Sequence, residues 1–286
     1  MTNKKYQVIS LHFTTDCNLR CPMCYRPKDT KPKKDFLFFL QMIPHLAELT
    51  HQVALGGGEP FMHPLFIQEF AATAKEHGLI TNVTTNGTLP IKPYIKDVEM
   101  VSISFDRYKV RNNLEASLYL NLTRDLKDKV RVGTNLLIDS YLVEHPDAFA
   151  TFVNMLFKIG FVERVFALYP KNWDFLNILK IKKYYFAFSK AYEHFYVDDL
   201  TSKILTENKY YDWETPCHYG SGLVSINENG IVTGCSFDSE DNALLKLEKP
   251  EDILRIEDVE AKKRYYCPHL GCKGECMACL QNMKEN

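Results

Sequence analysis

Short strand-like runs alternate with helical stripes from residue 6 to about residue 195. The runs are rich in β-branched and aromatic residues and cover 6–13, 52–55, 79–84, 98–105, 130–138 and 164–168. Between them, apolar residues return three and four positions apart, as on one face of a helix. The clearest stripe spans 147–159, with Phe149, Phe152, Val153, Leu156 and Phe157 on one face. Pro146 stands at its opening and Gly160 at its close. Residues 64–77 likewise open on a proline and stop at Gly78, and Asn113 is predicted to cap 114–126. Pro44 should kink or break a helix over 35–49, since proline lacks the N–H and its ring clashes with the preceding turn.

Six strand–helix units in succession predict an α/β fold with a parallel sheet, because each crossover returns the chain to the same edge. The sheet is either open or curled into a partial barrel; periodicity does not choose. In both forms ligands gather at the carboxyl ends of the strands. After residue 195 the pattern changes. Residues 223–226 and 231–235 flank Asn227-Glu228-Asn229-Gly230, a hairpin signal. Residues 267–279 are dense in cysteine and have no periodicity. The chain is therefore read as a core over 1–205 and a small domain over 206–286 organised by metal.

Composition narrows the class. Lys and Arg number 35 against 36 Asp and Glu, a net charge of -1, so charge makes no case for a nucleic-acid partner. The local cluster Lys28, Lys31, Lys33 and Lys34 reads as a solvated loop. No apolar run is long enough for a membrane span, and the first residues lack the apolar stretch of a secretory signal. Nine cysteines lie at the two ends of the chain, with none between Cys24 and Cys217. That distribution favours metal or cluster binding in a reducing cytoplasm over disulfides.

Four candidate motifs fall at successive strand ends. Cys17, Cys21 and Cys24 follow the first, Gly56 to Pro60 the second and Thr85 to Gly87 the third, while Asp106 ends the fourth. The C-x3-C-x2-C spacing supplies three thiolates where a cubane iron–sulfur cluster takes four, leaving one iron open to an external ligand. A three-ligand zinc site is the alternative.

Cys17-Asn-Leu-Arg-Cys21-Pro-Met-Cys24 resembles the cluster motif of the radical S-adenosylmethionine (SAM) enzymes, although Met23 stands where an aromatic is usual. The resemblance implies a partial (β/α)6 barrel and a 4Fe-4S cluster whose open iron chelates SAM. It also implies that an electron from the cluster cleaves SAM to a 5′-deoxyadenosyl radical, which takes a hydrogen atom from substrate. Gly56-Gly57-Gly58-Glu59-Pro60 looks like the family's Gly-Gly-Glu motif, so Gly57, Gly58 and Glu59 would meet SAM's amino group. Glycines permit close backbone approach, and a carboxylate suits an ammonium. Ser104 and Asp106 resemble the fourth-strand contacts to SAM's ribose and carboxylate, with a capping aspartate as the alternative. Asn86 belongs to a family-like Thr-Asn-Gly stretch that a plain turn also explains, and Asn135 is a weaker candidate of the same kind. His63, His77, His218 and His269 read as surface or packing residues.

The late cysteines carry a second resemblance. Cys217, twelve residues, Gly230, four residues and Cys235 match the opening of the SPASM and twitch domains, which hold auxiliary iron–sulfur clusters. Cys272-Lys-Gly-Glu-Cys276 resembles a later step, with Cys267 before it and Cys279 after it. Arg264 stands where a further cysteine is usual, so six thiolates remain for one or two auxiliary 4Fe-4S clusters. One partition is a single cluster on Cys217, Cys235, Cys276 and Cys279; the other is two clusters each one cysteine short. A zinc ribbon is the structural alternative. The resemblance implies an external electron donor such as flavodoxin or ferredoxin. Its first substrate is a ribosomally made precursor peptide, with a separate leader-peptide-binding protein as a possible partner. An aminoglycoside, sugar or other small metabolite is the second substrate class, and a non-catalytic iron–sulfur or zinc scaffold is the non-enzymatic reading.

Overall fold

The computed structural model describes residues 4–22, 24, 26, 30–106, 109–168, 178–197, 205–206, 217–236, 240–259 and 262–264. In chain order the strands are β1 (Val8–His12), β2 (Gln52–Gly56), β3 (Ile80–Thr85), β4 (Met100–Phe105), β5 (Arg131–Leu137) and β6 (Arg164–Leu168). They continue as β7 (Phe195–Val197), β8 (Cys217–Tyr219), β9 (Leu223–Ile226), β10 (Ile231–Thr233), β11 (Leu245–Lys246) and β12 (Lys262–Arg264). The helices are α1 (Phe36–Gln41), α2 (Ile43–Leu49), α3 (Pro64–Glu76), α4 (Asn113–Leu126), α5 (Ser140–Glu144), α6 (Pro146–Lys158) and α7 (Lys182–Ala191). The α/β alternation is as the sequence predicts, and the six long strands start and stop within two residues of their predicted bounds. Among the described residues no helix is long and apolar enough to cross a membrane.

The chain forms two compact units. One comprises residues 1–101 and 218–264, the other 102–217 and 265–286. In the first, the strand order is β11-β10-β9-β1-β2-β3. β1 runs parallel to β2 and β2 to β3, as strands joined by helical crossovers must. The predicted hairpin forms, with Asn227 accepting from the N–H groups of Asn229 and Ile231 and Gly230 at φ 74°. β9 pairs in parallel with β1, Val8 opposite Leu223 and Leu11 opposite Ile226, and its apolar side chains join the core beside Ile9 and Leu11. Burying a sheet edge removes unpaired backbone groups, which is why the late hairpin sits there.

Period two sorts the first unit's side chains. Phe13 meets Phe66 at 4.4 Å between ring centroids, and Phe36 stacks on Phe66 at 4.8 Å, so Ile9, Leu11 and Phe13 face α1 and α3. The opposite face carries Ser10 and His12, and register adds Ala54 opposite Ser10, Asn82 opposite Ala54, and Gly56 opposite His12. Pro44 does break the helix over 35–49. It lies in the first turn of α2, where a missing N–H costs nothing, and Met42 closes α1 and opens α2.

In the second unit β4, β5, β6 and β7 follow in order; β5–β6 and β6–β7 are parallel. Phe149, Val153 and Leu156 of α6 are fully buried, and Phe152 packs on Phe105 at 5.4 Å. The cap of α4 is Asn112 rather than Asn113: the Asn112 side chain accepts from the Glu115 N–H at 3.0 Å. The helix begins one residue earlier than predicted because the extended residue ahead of it holds the third amide.

Candidate active site

The cysteine triplet occupies the loop after β1. Cys17 and Cys21 are half-buried and Cys24 is exposed, and none of the three is in a disulfide. The Leu19 N–H points at Cys17 Sγ (3.4 Å), and the Cys24 N–H bonds the Cys21 carbonyl (3.1 Å). Among the described residues no three Cys, His, Asp or Glu side chains converge on a point that would hold a single metal ion. Three thiols on one loop, with the Leu19 N–H directed at Cys17 Sγ, are a donor set that fits a cubane with one open iron.

The glycine run packs against the segment leading into this loop. The Gly58 N–H donates to the Thr14 carbonyl at 2.8 Å and the Glu59 N–H to the Asp16 carbonyl at 2.7 Å. A Cβ on Gly57, whose φ is 132°, would lie 2.4 Å from the Thr14 oxygen, and one on Gly58 would lie 2.1 Å from that of Asp16. The glycines let two stretches of backbone touch. Glu59 is 1% exposed. Its Oε1 accepts from the Phe61 N–H (3.1 Å) and the Thr85 hydroxyl (2.6 Å), and its Oε2 from the Asn86 N–H (2.7 Å). The carboxylate therefore braces the turn after β2 to the end of β3.

Asn86 continues the bracing into the cysteine loop, its Nδ2 donating to Asn18 Oδ1 at 2.9 Å; Asn18 in turn donates to the Thr88 hydroxyl at 2.8 Å. His63 bridges from the other side, with Nε2 2.8 Å from Asp16 Oδ2 and 3.2 Å from Thr14 Oγ1. Past Cys24, Arg26 forms a buried ion pair with Glu228, and the Lys34 N–H donates to the Glu228 carbonyl at 3.1 Å. The hairpin turn thus grips the stretch that follows the cysteines. His12, at the end of β1, is 6% exposed. Burial pushes its pKa well below 6.5 and the charge of Arg26 adds to the shift, so the ring is neutral.

In the second unit Ser104 is half-buried on β4. Asp106 is 5% exposed and accepts from the Lys109 N–H (3.1 Å) and Nζ (2.6 Å), the arrangement of a capping aspartate with an added ion pair. Asn135 is half-buried on β5. Cys235 is buried after β10, and Cys217 opens β8. Cys267, Cys272, Cys276 and Cys279 lie outside the described residues. The sequence pattern did not mark Asn18, Arg26, Thr88 or Glu228, and it read His63 as packing. Each is tied to the site by a partner far along the chain, which no local spacing announces.

Residues 11–131, the stretch bearing the triplet, the glycine turn, Ser104 and Asp106, match the model of the Radical SAM superfamily. The S-adenosylmethionine-dependent nucleotide dehydratase of Lacinutrix mariniflava is 24% identical over 203 residues, 62% of this chain and 40% of that protein. The tungsten-containing aldehyde ferredoxin oxidoreductase cofactor-modifying protein of Pyrococcus furiosus is 30% identical over 114 residues, 36% of this chain and 32% of that one. The chain spans less than half the length of these two relatives. In fold it resembles Streptococcus suis SuiB, crystallised bound to precursor peptide SuiA. The TM-score is 0.66 at 14% identity, over 96% of this chain and 70% of SuiB.

Proposed function

We propose that this chain is a radical SAM enzyme that modifies a peptide by abstracting a hydrogen atom. The observation that supports the reading is the docking of the Thr14–Asp16 backbone onto Gly58 and Glu59, within the stretch that matches the Radical SAM superfamily, which sets the cysteine loop against the glycine turn. Cys17, Cys21 and Cys24 would hold the 4Fe-4S cluster. When bound, that cluster supplies the electron that cleaves SAM to methionine and a 5′-deoxyadenosyl radical. Gly57, Gly58 and Glu59 would receive SAM's amino group, with Asn86, Ser104 and Asp106 as further contacts. Glu59 suits the task because three donors fix its carboxylate before any ligand arrives, so little ordering remains to oppose binding.

A peptide substrate is supported by the fold shared with SuiB, whose structure contains a precursor peptide. The name of the Lacinutrix relative favours a second reading, a nucleotide or other small metabolite. Residues 206–286 are proposed to carry one or two auxiliary clusters on Cys217, Cys235, Cys267, Cys272, Cys276 and Cys279, and a flavodoxin or ferredoxin to supply electrons in the cytoplasm. The test is anaerobic reconstitution, reduction and addition of SAM. 5′-Deoxyadenosine should form with the native protein and be lost in Cys17→Ala. Its absence under conditions where a control enzyme works would leave only the non-catalytic scaffold. In a Cys17/Cys21/Cys24→Ala triple variant, about four remaining irons would mean one auxiliary cluster and about eight would mean two.

A further inference from the structure

Thr14 and Asp16, just ahead of Cys17, are both held by the segment 58–63. The Gly58 and Glu59 N–H groups take their carbonyls, at 2.8 and 2.7 Å. The Thr15 hydroxyl on the Thr30 carbonyl (2.7 Å) ties the same stretch from elsewhere. The last hold before the first thiolate is a side chain's. His63 Nε2 lies 2.8 Å from Asp16 Oδ2 and 3.2 Å from Thr14 Oγ1, which itself accepts from the Asp16 N–H at 3.0 Å. An ionised carboxylate only accepts, so Nε2 carries a proton and donates it. The carbonyl and the carboxylate of Asp16 are thus gripped together, by Glu59 and His63, before the chain reaches Cys17.

The imidazole is itself set by rigid neighbours. His63 closes the short 3-10 helix Pro60–Met62, its N–H on the Pro60 carbonyl at 2.9 Å, and its own carbonyl accepts from the Ile67 N–H of α3 at 3.3 Å. Phe36 meets the ring edge-on at 4.9 Å between centroids, and Phe13 does so at 6.3 Å. As a contributor to folding the contact is weak. The Asp16 side chain is 54% exposed and that of His63 24%, and water screens such a pair. Its leverage is local instead. Asp16 is joined covalently to Cys17, so whatever fixes residue 16 fixes the direction from which that thiolate enters the site. Partners that orient a ligand in this way govern metal affinity far more than they govern stability.

We propose that His63 is a positioning residue for the cluster, aiming Cys17 through the Asp16 carboxylate and not acting as a ligand. This deepens the reading above and rests on its assignment of Cys17, Cys21 and Cys24 to the cluster. The test compares the reconstituted native protein with His63→Phe, which keeps a flat ring without the N–H, and with His63→Gln, which returns an N–H at similar reach. Iron release to EDTA is followed, with the Cys17/Cys21/Cys24→Ala variant as the baseline for iron held elsewhere. His63→Phe should release the triplet's iron about tenfold faster. Its melting temperature should stay within about 4 °C of native. His63→Gln should hold iron nearly as long as native. Adding Asp16→Ala to His63→Phe should quicken release no further, because both changes remove one bond. Native release in His63→Phe, no rescue by Gln, or additive effects would overturn the proposal. So would a larger fall in melting temperature, which would make His63 merely structural. The apoprotein separates the two ideas, since Cys17 should be alkylated about fivefold faster in apo His63→Phe than in the native apoprotein. If the native protein takes up no iron at the triplet, the cluster reading falls and the clamp on Asp16 is decided by alkylation alone, unchanged rates overturning it.

Discussion

A methyl group on Gly58 has nowhere to go, because the Asp16 carbonyl is backbone and cannot swing aside. Gly58→Ala should cost about 2–3 kcal/mol in thermal or denaturant unfolding and loosen the cysteine loop. Gly78→Ala is the control. Gly78 has φ 75° but nothing within 4 Å, so it should lose only about 1 kcal/mol from backbone strain. Glu59→Gln puts N–H groups where Phe61, Thr85 and Asn86 already donate, and should destabilise the apoprotein by about 1–3 kcal/mol. His12 gives a pH signature. Its folded pKa is depressed below 6.5, so as pH falls under 6.5 the unfolded chain takes up a proton that the folded one refuses. Stability should therefore drop by up to about 1.4 kcal/mol per pH unit, and His12→Phe should flatten that slope in unfolding curves between pH 7.5 and 5.5. The glycines and Glu59 were legible as a motif. Their packing against Thr14–Asp16 was not, since that contact joins segments about forty residues apart.

Helix and strand existence was readable wherever an apolar period persisted, as in α3 and α6, and proline marked the α1–α2 break because its chemistry is local. Caps were harder. Asn112 and Asn113 stand side by side, and only the extended backbone of Asn112 (φ -153°, ψ 171°) decides which one bonds the helix. Asn112→Ala should lower stability by about 1 kcal/mol, and Asn113→Ala should change it by less than half of that, as read from unfolding midpoints. The hairpin β9–β10 was visible in its turn residues, yet its place beside β1 was not. Alternation names which side chains share a face but not which strand lies next door.

At the scale of the molecule, the late segment is structural to the first compact unit. β9 covers the edge of β1, Ile253 and Ile256 are fully buried, and Lys5 Nζ reaches the Ile256 carbonyl at 2.8 Å. A chain ended at residue 205 should fail to give a soluble, cooperatively melting protein, which circular dichroism and gel filtration would show. The ion pair between Arg26 and Glu228 joins residues 202 positions apart. At ribosomal speeds of about 5–20 residues per second, Glu228 is made roughly 10–40 s after Arg26. Throughout that interval the stretch past Cys24 is held by the Thr15 hydroxyl on the Thr30 carbonyl (2.7 Å) but lacks its buried ion pair. The buried ion pair that holds the stretch after the cysteines can thus form only once residue 228 has been made.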